Sequence, residues 1–106
     1  MKGVRLRTTI EGYLARLRET GSPHTLRAYT MNLALFATYA EAQGVREPKQ
    51  ITHRFLRGFL VELNGKGLAR SSVARYVAAV RSFTRFLVRE HIIDADPARA
   101  LRSPSP

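Results

Sequence analysis

Residues 69–89, ARSSVARYVAAVRSFTRFLVR, constrain this chain more than any other stretch. Their apolar members stand at 73, 76, 77, 80, 83 and 87, the i, i+3, i+4, i+7 spacing of one helix face. With each residue set about 100° on from the last, Val73, Tyr76, Val77, Val80, Phe83 and Leu87 fill one arc. Arg70, Arg75, Arg81, Arg85 and Arg89 fill the opposite arc together with Ser71 and Ser82, and no acidic residue interrupts them. One side is therefore built to dock on a core, and the other offers guanidinium groups to something anionic. Phe86 and Val88 fall outside the apolar arc, so the separation blurs near the C-terminal end.

The rest of the chain reads as helices that could cover that arc. Thr8-Thr9-Ile10-Glu11 has the form of a capping box, which places a helix start after a basic arm of residues 1–7. Ile10, Tyr13, Leu14 and Leu17 then form a stripe that stops at Gly21. Ser22-Pro23 restarts the chain as N-cap and first helical residue. Leu26, Tyr29, Leu33, Phe36 and Ala40 mark one face of this second helix, while Met31, Leu35 and Tyr39 make the other face apolar too. From 28 to 40 there is no charge, as expected of a central helix or of a face kept for a partner. Gly44 ends it, and residues 45–50 read as a loop. Thr52 caps a third helix carrying Phe55, Leu56, Phe59, Leu60 and Leu63, with Arg54 and Arg57 off the stripe. Asn64-Gly65-Lys66-Gly67 breaks it, and the arginine helix follows. Asp96-Pro97 opens a short helical turn over 98–101. Ser103-Pro104-Ser105-Pro106 reads as linker. No segment alternates with period two, so the expected fold is an all-α bundle of four helices.

A formal charge of +10 on 106 residues, with fifteen arginines among eighteen basic residues, favours nucleic acid or an anionic surface as partner. Arginine matches phosphate and guanine in two-point contacts, which lysine does not. With no cysteine there is no disulfide framework and no thiolate metal site. The N-terminal residues lack the apolar run of a signal peptide, and no segment approaches a membrane span of about 20 apolar residues, so a soluble intracellular protein is expected. His24, His53 and His91 share no i, i+4 spacing, and Glu90, Asp94 and Asp96 do not pair for acid–base work, so neither metal nor cofactor is expected.

The residues also resemble the N-terminal core-binding domain of tyrosine recombinases, the Xer and phage-integrase family. The resemblance rests on Thr52, Phe59-Leu60, Leu63, Gly67-Leu68, Ser72-Val73, Arg75, Val80-Arg81-Ser82-Phe83, Arg85-Phe86-Leu87, Asp96-Pro97-Ala98, Leu101 and Ser103-Pro104. Upstream it includes Tyr13-Leu14 and Ser22-Pro23-His24-Thr25-Leu26-Arg27-Ala28-Tyr29. It implies a four-helix SAM-like orthogonal bundle, residues 8–101, that clamps one face of a double-stranded recombination half-site. Residues 102–106 would lead to an absent catalytic domain on the other face, and other protomers would join on DNA. The implied DNA contacts are His24, Thr25 and Arg27 on the second helix and Arg70, Ser71, Ser72, Arg75, Arg81 and Ser82 on the fourth. Arg85 is added as a phosphate or groove contact, and Lys66, in the turn before the fourth helix, as one able to reach a phosphate. Two residues depart from the family: His24 stands where many relatives have asparagine, and Ala69 where serine is common. The family's catalytic residues belong to the later domain, and Tyr13, Tyr29, Tyr39 and Tyr76 lie on helix stripes, so this chain is not expected to cut DNA. The competing expectation is a non-enzymatic helical protein-interaction module that works through the second helix and carries an incidental basic surface. A basic amphipathic helix lying on a membrane is a third, disfavoured by the missing tryptophan and by the core's need for the stripe.

Overall fold

The computed structural model describes residues 3–102; the start of the arm and residues 103–106 of the expected linker lie outside the described residues. The elements are α1 (Leu6–Thr20), α2 (Pro23–Ala42), a 3-10 turn (Pro48–Gln50), α3 (His53–Gly65) and α4 (Arg70–Arg89), with no strand among the described residues. The four expected helices are all present, and the short turn at Asp96 follows them.

The first helix begins earlier than its capping-box signal implies. Leu6 is buried, and its N–H donates to the Arg46 carbonyl at 2.7 Å, so the chain is helical from Leu6. Thr8 and Glu11 therefore lie inside α1 rather than at its edge. Thr9 is buried and its hydroxyl turns back to the Leu6 carbonyl at 2.7 Å. The basic arm loses Leu6 and Arg7 to the helix, because burying a leucine outweighs a surface cap. Residues 45–50 likewise hold more than a loop. The 3-10 turn is tied down by Gln50 Oε1, which accepts from the Arg46 and Glu47 amides at 2.8 and 3.0 Å.

The α2 and α3 starts follow the expected caps: Ser22 Oγ accepts from the Thr25 amide at 3.1 Å, and Thr52 Oγ1 from the Phe55 amide at 3.0 Å. α1 and α2 form an antiparallel hairpin, locked at its open end by Arg7, which donates to both Glu41 oxygens at 2.6 and 2.9 Å. An aromatic cluster then joins α2, α3 and α4. Phe36 meets Phe55 and Phe59 at 5.9 and 5.2 Å, Tyr39 meets the same pair at 5.5 and 5.2 Å, and Phe59 reaches Tyr76 at 6.1 Å. Tyr39 crosses α3 at Gly58, where a Cβ would stand 3.1 Å from its hydroxyl, a tight contact that glycine avoids. Of the second apolar face of α2, Leu35 and Tyr39 are half-buried, whereas Met31 is 74% exposed.

α2 and α4 end in the same way. Past α2, Gly44 (φ 80°) and Val45 send their amides back to Glu41 and Ala40. Past α4, His91 (φ 59°) and Ile92 send theirs to Val88 and Leu87. Both are Schellman closures, but the second puts a Cβ-bearing residue in the left-handed region, at a cost of roughly 1–2 kcal/mol. Replacing His91→Gly is expected to stabilise the domain by about 0.5–1 kcal/mol, after glycine's own entropy is subtracted. A melting point several degrees higher by circular dichroism would show this; an unchanged or lower one would mean the histidine is not strained.

Candidate nucleic-acid interface

α4 is buried over a broader arc than its apolar stripe predicts. Val73, Val77, Val80, Phe83 and Leu87 are at most 1% exposed, and Ala79, Thr84 and Phe86 join them inside. At Phe86 the widening comes from α1. Tyr13 lies against Phe83 and Phe86 with ring centroids 5.8 and 5.2 Å apart, and Arg16 reaches Glu90 at 3.8 Å. Phe86, which the stripe leaves outside the apolar arc, is thus a core residue supplied for α1.

Two of the expected contacts are half-buried and also bond within the fold. Ser82 Oγ and the Tyr13 hydroxyl share a hydrogen bond of 2.6 Å. Arg81 Nη1 donates to the Leu101 carbonyl at 2.7 Å, in a part-buried position. Neither partner is visible locally, because they lie 69 and 20 residues away.

The basic surface that remains is a ridge along α4. Arg75, Arg85 and Arg89 are exposed with Ser71 and Ala78, and Ser72 is half-buried beside the helix start. Arg75, Arg85 and Arg89 make no ion pair among the described residues. No acidic residue occurs between Glu62 and Glu90, so the ridge is not neutralised from its own helix. At its N-terminal end Ala69 provides no side-chain cap and the first turn carries no carboxylate, which leaves the positive end of the helix dipole to attract anions. Arg70 begins the helix there and is exposed.

The start of α2 is organised differently. Its cap is filled by Ser22, whose hydroxyl also donates to Thr25 Oγ1 at 3.0 Å. Arg27 Nη2 donates to His24 Nδ1 at 3.1 Å, an exposed pair, with half-buried Thr25 beside it held by Ser22. Lys66, at the end of α3, is partly matched by Glu62 at 3.9 Å, a separation worth little between half-exposed groups. Among the described residues, no group of three or more His, Cys, Asp or Glu could hold a metal ion, and no helix is long and apolar enough to cross a membrane.

Comparison with known proteins places this arrangement. Residues 10–91 match the family model for the phage integrase N-terminal SAM-like domain, and the chain belongs to that family. It is similar to the tyrosine recombinase XerC of Pelotomaculum thermopropionicum, 37% identical over 102 residues, covering 90% of this chain and 33% of that protein. The tyrosine recombinase XerC of Oceanobacillus iheyensis is 33% identical over 89 residues, 84% of this chain and 29% of that protein. The chain thus spans about a third of the length of these relatives. The crystal structure of the N-terminal domain of a phage integrase/site-specific recombinase from Haloarcula marismortui superposes with a TM-score of 0.89 over 98% of this chain and 100% of that one. At 15% identity that likeness shows the shared fold.

The Tyr13–Ser82 contact also makes a pH prediction. Burial pushes the Tyr13 phenol above its ordinary value of 10.0, a rise that the Ser82 bond and the charges of Arg85 and Arg89 only partly offset. The unfolded chain ionises this group more readily, so the stability it contributes is complete below pH 10 and lost as pH rises beyond it. Tyr13→Phe is expected to cost about 1 kcal/mol near neutrality by stranding Ser82, and to flatten the alkaline loss. Urea unfolding at several pH values measures both; an alkaline slope identical to that of the parent would refute the assignment.

Proposed function

We propose that this chain is the DNA-binding N-terminal part of a tyrosine-type site-specific recombinase or integrase, clamping one face of a recombination half-site. The observation that carries this is the acid-free arginine ridge of α4, set on a fold whose family includes tyrosine recombinases. α4 contributes Arg70, Ser71, Ser72, Arg75 and Arg85, and α2 contributes His24, Thr25 and Arg27, with Lys66 at the margin. Arg81 and Ser82 are assigned inward. The uncapped start of α4 suits a phosphate, and Arg75, about one and a half turns further on, suits a base edge or a groove phosphate. Strand cleavage is assigned to a separate catalytic domain. In support, Tyr13 is buried, and Tyr29, Tyr39 and Tyr76 are half-buried against the core. The partners are duplex DNA, that catalytic domain and further recombinase protomers assembled on DNA, in a cytoplasmic, nucleoid-associated setting and away from membranes.

Titration into a labelled duplex at several salt concentrations tests the clamp. Neutralising roughly six to ten phosphates weakens binding about 10³–10⁵-fold between about 50 and 200 mM salt. Arg75→Ala is expected to cost about 1–3 kcal/mol on a cognate duplex if it reads a base; equal affinities would remove that role. Ala69→Asp separates folding from binding. A carboxylate cap is expected to stabilise α4 by roughly 0.5–2 kcal/mol while weakening duplex affinity, because it occupies and repels at the place a phosphate would take. Stronger or unchanged duplex binding by Ala69→Asp would move the contact away from the helix start.

A second reading, a protein-interaction module, draws on a different face. Met31 and Val61 are 74% and 71% exposed, and Leu35, Tyr39 and Ala42 line a groove between α2 and α3. It predicts partner binding that resists salt and is indifferent to Arg75→Ala.

A further inference from the structure

The segment after α4 holds an arrangement that DNA contact does not use. α4 ends at Arg89, yet by Leu101 the chain has returned to the level of Arg81, about two helical turns before that end. Ile93, Ala98 and Leu101 are buried on the way. Asp96 Oδ1 accepts from the Ala98 amide at 2.9 Å, and the Leu101 amide donates to the Ala98 carbonyl at 3.0 Å. The Leu101 carbonyl is the acceptor that Arg81 takes, at 2.7 Å and partly shielded from water. A guanidinium hydrogen bond of that length is charge-assisted and directional. Arg81 therefore differs from Arg75 and Arg85, which project from the same helix with no ion-pair partner among the described residues.

We infer that Arg81 is a positioning residue: its bond to Leu101 fixes the direction in which the chain leaves the helical body relative to the arginine ridge. Residues 91–102 belong mechanically to α4 rather than to a linker. What the direction serves rests on the proposed DNA clamp, because with the ridge on one face of a duplex the exit determines the side from which further polypeptide reaches around it.

The chain has no cysteine, so spin labels at Ala78→Cys on the exposed ridge and Arg102→Cys at the exit form a unique pair, read without DNA. The expected result is a single narrow distance in the parent. Arg81→Met is expected to broaden it about twofold or more, as the terminal turn opens locally, and Arg81→Lys, which keeps a charged donor, to restore most of the narrowness. Helix content by circular dichroism stays at the parent's level throughout. A width unchanged in Arg81→Met, or a parent already as broad, would overturn the inference. Should Arg81→Met unfold the domain, Arg81→Gln, with a shorter neutral donor, takes its place under the same criteria. Duplex titration of the unlabelled parent tests the clamp separately, and its failure leaves the distance result standing.

Discussion

Burying one side of a 20-residue helix that is heavily charged on the other requires neighbours along its whole length, about 30 Å, and α1, α2 and α3 all pack on it. α4 is therefore covered in two sections. Near its start Tyr76 meets the aromatic cluster of α2 and α3, and near its end Phe83 and Phe86 receive Tyr13 from α1. The buried side chains are each worth roughly 1.5–3 kcal/mol, so the arrangement outweighs the repulsion between arginines held on the outer side. The rest of the architecture follows from that coverage: the α1–α2 hairpin, the close crossing at Gly58 and the short connections between helices.

The same coverage decides which arginines remain on the surface. A helix carrying basic residues at five positions could present all five only if nothing packed beside them. α1 lies across Ser82 and Phe86, and the returning terminal segment lies along Arg81, so the ridge is narrowed to residues on the one remaining side. Electrostatics and packing thus act on one helix, with packing taking precedence where the two compete. The arginines left outside have no acid within α4 to answer them, only Glu90 at its C-cap, which leaves a field able to act on a polyanion.

What the sequence made legible was whatever depends on local spacing. The all-α architecture, the presence of four helices, the caps at Ser22 and Thr52 and five of the buried positions of α4 all follow from periodicity and cap chemistry, and the structure has them. The misplaced start of α1 shows the limit: Thr8 and Glu11 have the right chemistry for a cap, but the burial of Leu6 against the loop at Arg46 is a tertiary fact that no local pattern carries. Arg81 and Ser82 fit the charged arc by angle, and the bonds that half-bury them come from partners far along the chain. The α2 group had a clearer local signal, since His24 and Arg27 stand three residues apart on one helix turn and can bond there. Family resemblance suggested the surface as a whole, and the packing distributed the individual side chains within it.

The Tyr13 contact joins residues 69 positions apart, linking the first helix of the fold to its last. During synthesis, α1 and α2 emerge long before residues 82–86 exist, so the apolar side of α1 has no seat on α4 until nearly the whole domain has been made. The α2, α3 and α4 cluster is assembled from shorter separations, and chain-closure entropy favours forming it first. A nascent chain stalled before α4 would carry the hairpin with Tyr13 uncovered, a natural target for chaperones that bind exposed apolar surface.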